Sequence, residues 1–357
     1  MAISEPPAST MKPRKIPKIS LHDFATRRTE IGRQIIDAAE NIGFFVLVDQ
    51  ESPTPAEIEE MFSISKAFFS LPEAVKAKTP LIRSENTGWE SRSQIRPSTG
   101  LPDQKESLQL QYHRRFDASW PSDTDLSPEL KASMARFMSQ THALSQSILR
   151  FFAEALGFAA DHFARSHRVD LPCAQNTLRL LHYHDISGTA FPPEYWRAGA
   201  HTDFDCLTLL YQRTGEAGLE VCPGREAHTS FAHGDAWTPV EPVTGEIVCN
   251  IGDMLMAWSD DRFKSLFHRV RCPKVGENQK ERFSVAYFNQ ANKNVEVVGP
   301  LGKYPRMTAH QYIMDAVARN FRQLENGEVE KGELLESPES EAERVANGVR
   351  GRESKDT

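Results

Sequence analysis

Two short stretches of the chain carry side chains whose types and spacing suit chemistry. In RAGAHTDFDCLTLL (197–210), His201 and Asp203 lie two residues apart beside an apolar run. On an extended strand such residues project to the same face, so an imidazole and a carboxylate are expected side by side. A pair of this kind, taken alone, is more often a hydrogen-bonded structural histidine than a metal site. A third donor stands downstream: His268, in FKSLFHRVRCP, begins another β-rich region that an antiparallel fold would return beside the first two. Two neutral imidazoles and one carboxylate occupy one face of an octahedral ion and leave three positions open, which suits non-haem Fe(II). A closed structural zinc site leaves no such positions.

The second stretch is KERFSVAYFNQ, where Arg282 and Ser284 again lie two apart. A guanidinium and a hydroxyl facing one way can hold a single carboxylate, the arginine in bidentate fashion. An isolated arginine and serine at this spacing usually belong to a solvated surface. Here Phe283, Val285 and Tyr287 make the opposite strand face apolar, and the pair is expected to look into the fold. A buried arginine requires an anion. A dicarboxylate that chelates iron at one end and meets Arg282 at the other would supply it.

The elements that must position these groups can be read from periodicity. KIPKISLHDF is a short strand candidate; Ile31, Ile35, Ala38 and Ile42 mark a helix face that Gly43 ends, and FFVLV (44–48) reads as a buried strand. Met61, Ile64 and Phe68 mark a second helix stopped by Pro72, and Leu144, Ile148, Phe152 and Leu156 a long one ending near Gly157. Around RSENTGWESRS turn residues dominate and a lid-like loop is expected. From about Asn176, the runs TLRLLHY, CLTLLYQ, LEVC, WTPV, EIVCNI and FSVAYFNQ are short and β-rich, the signature of an antiparallel sandwich or barrel. The helix candidate TAHQYIMDAVARNFRQ follows, with Ile313, Ala316 and Phe321 placed to pack back on the body.

Composition narrows what the whole can be. The 357 residues, 39% of them hydrophobic, can bury a sizeable core. Lys and Arg total 42 against 49 Asp and Glu, and the net charge of -7 gives no overall attraction to a phosphate backbone, so nucleic acid is not expected as a partner. The five cysteines are scattered and form no CxxC pair, which fits free thiols in a reducing compartment. With neither an apolar leader nor a spanning stretch, a cytoplasmic protein off the membrane is expected, monomeric or weakly self-associating.

HTD, a distal histidine in FHRV, then RFS on an aromatic strand together resemble the Fe(II)/2-oxoglutarate-dependent dioxygenases of the isopenicillin N synthase-like family. IPKISLHDF, AAENIGFFVLVDQ and KAFFSLPEAVKAK are similar to that family's N-terminal region, so the resemblance runs to about residue 322. Among its members the chain looks most like fungal ones such as thymine 7-hydroxylase. The resemblance implies an α+β fold dominated by β, with a double-stranded β-helix (jelly-roll) core, an N-terminal mixed α/β region and a C-terminal helix. It implies a flexible N-terminus over 1–14, the N-terminal mixed helical region over 15–172, the core and its C-terminal helix over 173–322, and a charged tail over 323–357, partly helical or disordered. It further implies Fe(II) on His201, Asp203 and His268, the distal carboxylate of 2-oxoglutarate on Arg282 and Ser284 with help from Tyr183, and O2 as oxidant. Leu181 departs from the pattern, because many plant members carry Asn there.

The implied activity is oxidation of a small organic substrate by hydroxylation, desaturation or ring formation, with succinate and CO2 as coproducts, in fungal-type secondary or nucleobase metabolism. Phe204 and Phe288 match aromatic positions near the substrate in the thymine-hydroxylating relatives, and Arg179, within the apolar strand TLRLL, is a candidate to bind a polar substrate group, although a buried Phe is usually core and a buried Arg can be an internal anchor. His182 and His184, flanking Tyr183, read as supporting strand-end residues. His228 and His233 fall in a long hairpin loop. Two alternatives remain open: an ethylene-forming or other oxidase outcome on the same iron site, and a noncatalytic ligand-binding relative.

Overall fold

A computed structural model of the chain describes residues 15–92, 103–187, 196–226, 237–274 and 276–316. The N-terminal half supplies β1 (Lys18–Ser20), α1 (Phe24–Asn41), β2 (Phe44–Val48), α2 (Pro55–Phe69), α3 (Glu73–Lys76), β3 (Gly88–Ser91), β4 (Lys105–Leu110), α4 (Arg114–Ser119), α5 (Pro128–Ala155) and α6 (His162–Ser166). The second half supplies β5 (Thr177–Tyr183), β6 (Trp196–His201), β7 (Leu207–Gln212), β8 (Leu219–Glu226), β9 (Thr238–Pro239), β10 (Ile247–Ile251) and α7 (Asp253–Trp258). It continues with β11 (Leu266–Arg271), β12 (Arg282–Asn289), β13 (Glu296–Val297) and β14 (Met307–Thr308). A last helix, α8, covers 309–316 of the described residues.

The strands form a large sheet in the order β1-β2-β10-β7-β12-β5-β4-β3 and a smaller one in the order β6-β11-β8-β9. The centre of the large sheet and the whole small sheet face each other as a jelly roll, the fold the motifs imply. β12 is the spine: it pairs antiparallel with β5 on one side and β7 on the other, setting Arg282 opposite Tyr183 and Ser284 between Leu181 and Gln212. Phe283, Val285 and Tyr287 point to the opposite face, into the main apolar core under α2 and α5. The period of two expected for this strand therefore sorts its residues into a core face and a cavity face.

The helices follow their sequence signals. α1 buries Ile31, Ile35 and Ala38, and Gly43 follows it at φ +72, where a Cβ would sit 2.2 Å from the Lys264 carbonyl. α2 starts on a capping box: Glu57 N donates to Thr54 Oγ1 and Thr54 N donates to the Glu57 carboxylate. Gly157, at φ +77, lies just past α5.

Two expectations change. The segment read as a lid-like loop contains β3, which joins the large sheet as an edge strand; a sequence rich in turn residues still forms a strand when β4 offers it hydrogen bonds. His201 and Asp203 do not share a strand either. His201 ends β6, while Asp203 lies in the irregular turn before β7, so the turn, not strand alternation, sets them side by side. Phe321, His228 and His233 lie outside the described residues.

Candidate functional site

His201 is the last residue of β6 and pairs directly with His268 of β11, so the ladder between these strands brings the two imidazoles together at a ring separation of 4.3 Å. Each ring turns Nδ1 toward the backbone, His201 to the Gly199 carbonyl at 2.8 Å and His268 toward that of Leu266 at 3.4 Å. Both Nε2 atoms therefore face Asp203, at 3.8 and 3.7 Å from its Oδ1. These separations are too long for direct hydrogen bonds and suit donors arranged around an ion.

The other carboxylate oxygen is already engaged. Asp203 Oδ2 accepts from Thr208 Oγ1 at 2.7 Å and Asn250 Nδ2 at 2.9 Å, which fixes the carboxylate and leaves Oδ1 for the centre. Burial alone would raise the Asp203 carboxyl; the two histidines and these hydrogen bonds outweigh it and lower it to about 2. Its neighbour Asp205 goes the opposite way, pushed well above the carboxylate range by burial and by the Asp203 charge. The turn is clamped from behind by α7: Asp253 N donates to the Asp203 carbonyl at 2.7 Å and Met254 N to that of Asp205 at 3.1 Å. Gly252 permits this approach, since a Cβ there would lie 2.1 Å from the Asp205 carbonyl oxygen.

A cavity of about 510 Å³ opens over the three donors. Arg282 lies at one end of it, 1% exposed. It donates to the Glu216 carbonyl at 2.9 Å, Gln212 Oε1 at 3.0 Å and Ser284 Oγ at 3.3 Å, and it stacks over the Tyr183 ring at 4.9 Å. Among the described residues no carboxylate pairs with it. Leu181, Ala198 and Leu210 line the walls between this guanidinium and the donor triad. A buried guanidinium beside a hydroxyl at one end, and an open donor set at the other, fit a dicarboxylate.

Phe204, Phe288 and Arg179 also line the cavity, and the Arg179 guanidinium lies 5.0 Å over the Phe288 ring. All the residues singled out from sequence thus reach one cavity, apart from the supporting histidines. His182 and His184 lie on the opposite sheet face, where they and Glu106 bring potential donor atoms within 4.8 Å of one another. Glu106 is already engaged there by Lys76 at 2.7 Å, Trp89 at 2.8 Å and His182 at 2.9 Å, and the His182 ring stacks on Phe283. A metal ion at that spot would compete with an ammonium, so the cluster is structural.

Sequence reasoning missed several contributors. Thr208 and Asn250, which orient Asp203, look like ordinary strand residues. The inner face of β4, with Lys105 on the same cavity, carries no motif; its alternation in KESLQL marks a strand but does not say that both faces are buried.

Residues 172–291 match the 2OG-Fe(II) oxygenase superfamily, and residues 16–129 match the family described as non-haem dioxygenase in morphine synthesis N-terminal. The 2-oxoglutarate-Fe(II) type oxidoreductase ppzD of Metarhizium rileyi is 30% identical over 321 residues, covering 81% of this chain and 85% of that protein. The proline hydroxylase buaE of Petromyces alliaceus is 29% identical over 325 residues, covering 84% of this chain and 97% of its own. Among solved structures, the full-length thymine 7-hydroxylase of Neurospora crassa in complex with alpha-KG superposes with a TM-score of 0.73 at 28% identity, over 85% of this chain and 96% of that one.

Proposed function

The chain belongs to the 2OG-Fe(II) oxygenase superfamily, and from that premise we propose that His201, Asp203 and His268 hold the iron while Arg282, Ser284 and Tyr183 hold the distal carboxylate of 2-oxoglutarate. Fe(II) and 2-oxoglutarate are the cofactors of this enzyme class, and the substrate is a small molecule. The observation that carries the assignment is Asp203: one oxygen is locked by Thr208 and Asn250, and the other faces both Nε2 atoms at 3.8 and 3.7 Å.

When bound, iron and 2-oxoglutarate convert O2 into an oxidant for a C–H bond and release succinate and CO2. The chain's own share is positional. Thr208 and Asn250 hold Asp203 ionised and aimed; the backbone carbonyls of Gly199 and Leu266 hold the two rings with Nε2 inward. Arg282 anchors the cosubstrate's far end, and the apolar walls of Leu181, Ala198 and Leu210 exclude water from the space between. Leu181 contributes packing where an Asn would contribute a hydrogen bond.

Phe204, Phe288 and Arg179 present the substrate to the iron, the two rings covering its faces and the guanidinium meeting an acceptor. Hydroxylation, desaturation and ring formation are outcomes of the same attack on one carbon; product mass separates hydroxylation from the other two, which are isomeric and are told apart by NMR. A monomeric or weakly self-associating cytoplasmic enzyme without a nucleic-acid partner completes the reading, supported by the net charge of -7 and five free cysteines. The test is succinate release from 2-oxoglutarate across a panel of small molecules, with ethylene followed in parallel. Ethylene as the main product, or no Fe(II)-dependent turnover of 2-oxoglutarate, would overturn the proposal.

A further inference from the structure

The inner face of β4 is polar and yet buried. Lys105, Ser107 and Gln109, with Gln111 just past the strand, are each 4% exposed or less. Buried polar groups require partners, so their hydrogen bonds can be followed one by one. Lys105 pairs with Asp103, while Ser107 Oγ at 3.0 Å and Gln109 Nε2 at 2.7 Å both donate to Glu90. Gln111 Nε2 donates to the Glu85 carbonyl at 2.9 Å and to Thr177 Oγ1 at 3.1 Å. Gln111 Oε1 has no partner among the described residues.

Gln175 and Gln290 stand beside it. Gln175 Nε2 donates to the Ala291 carbonyl at 2.6 Å, which commits its amide nitrogen and leaves its oxygen as an acceptor. The Gln290 side chain makes no hydrogen bond to a described residue. All three glutamines line the cavity, and they meet because the ends of β4 and β12 and the start of β5 coincide.

Strand register gives their distance from the iron site. Thr208, which holds Asp203, lies opposite Phe288; Phe288 lies opposite Thr177; and Thr177 accepts from Gln111. From the iron's carboxylate support to Gln111 the path crosses three strand spacings, about 14 Å in all. Most charge on this stretch is paired: Lys105 with Asp103 and Glu85 with Arg115 and Lys293, while Glu90, Arg179, Arg83 and His310 also line it.

We propose that Gln111, Gln175 and Gln290 form a recognition wall for an uncharged substrate whose N–H or O–H donors lie about 10 Å from the oxidised carbon, the two strand spacings that separate Phe288, placed above against the substrate, from β4. The inference rests on the iron and 2-oxoglutarate assignment above and adds the substrate's class and length. A molecule no larger than one ring would not bridge Phe288 to reach the wall. A carboxylate would meet two acceptor oxygens there and be rejected.

The test uses the full-length protein loaded with Fe(II) and 2-oxoglutarate under anaerobic conditions, with binding followed by ligand-observed NMR. The probes are the series of amides from phenylacetamide to phenylpentanamide, each beside its N,N-dimethylamide and its carboxylate. Longer primary amides should bind best, and the dimethylamides and carboxylates should lose on the order of tenfold in affinity. Gln111→Leu and Gln175→Leu should each shrink that difference while binding 2-oxoglutarate as the wild type does. Primary amides that bind no better than their dimethylamides at any length, or carboxylates that bind best, would overturn the inference. Failure of the wild type to bind 2-oxoglutarate in the same samples would instead overturn the proposed function.

Discussion

Under the proposed assignment, Asp203 is a side chain prepared for a metal by residues that do not themselves bind the ion. Two hydrogen bonds fix one oxygen, and the two imidazoles face the other. Asp203→Ala should therefore abolish stoichiometric Fe(II) binding, read as metal content after anaerobic dialysis; full retention of iron would sink the assignment. Arg282 makes a complementary case. It is buried and hydrogen-bonded only to neutral groups, so Arg282→Ala should weaken 2-oxoglutarate by roughly 100-fold, the scale of losing a buried charge partner. Iron affinity, titrated in parallel, should stay near wild type, and equal losses of both ligands would mean that Arg282 serves another purpose.

At the scale of elements, the turn that carries Asp203 depends on α7 as much as on its flanking strands. The start of α7 donates two backbone hydrogen bonds to the turn, and Gly252 leaves room for them. Gly252→Ala would push a methyl group into the Asp205 carbonyl, at a cost of about 1–3 kcal/mol or more. Both the melting temperature and iron affinity should fall together; a variant with unchanged affinity would show that α7 does not hold the turn. At α2, Thr54→Ala removes the capping box and should cost about 1 kcal/mol, read by denaturant unfolding, without changing 2-oxoglutarate affinity. The first substitution acts on the site and the second on stability alone, because α2 packs behind the sheet.

For the molecule as a whole, the half-buried His142 and the buried His167 couple folding to pH. His142 on α5 hydrogen-bonds Tyr287 of β12 at 2.9 Å, and burial lowers it to about 4. His167, just after α6, is lowered to about 3, chiefly by burial. Both are neutral in the folded state near pH 6, while the unfolded chain takes up protons below its ordinary histidine value. Their contribution is thus fully present above that value and is lost as pH falls toward 4, up to about 3 kcal/mol for His142 alone. Chemical unfolding between pH 7 and 4 should show this slope, and His142→Phe should flatten it; an unchanged slope would place the proton uptake elsewhere.

How much of this was legible from sequence depended on range. Periods of two and 3.6 located FFVLV, TLRLLHY, the long helix ending near Gly157 and the two faces of RFSVAYFN, because backbone geometry alone sets those periods. The residue types in HTD, the distal His268 and RFS likewise pointed to the chemistry proposed above, since few other sets suit an open iron site and a dicarboxylate. The turn between β6 and β7, β3, and the roles of Thr208 and Asn250 were settled only by the tertiary structure. Alternation in KESLQL divides a strand into two faces but does not say that both are buried. Packing of β4 beside β5 turns its polar face inward, making a wall of the cavity from residues that would otherwise read as solvated.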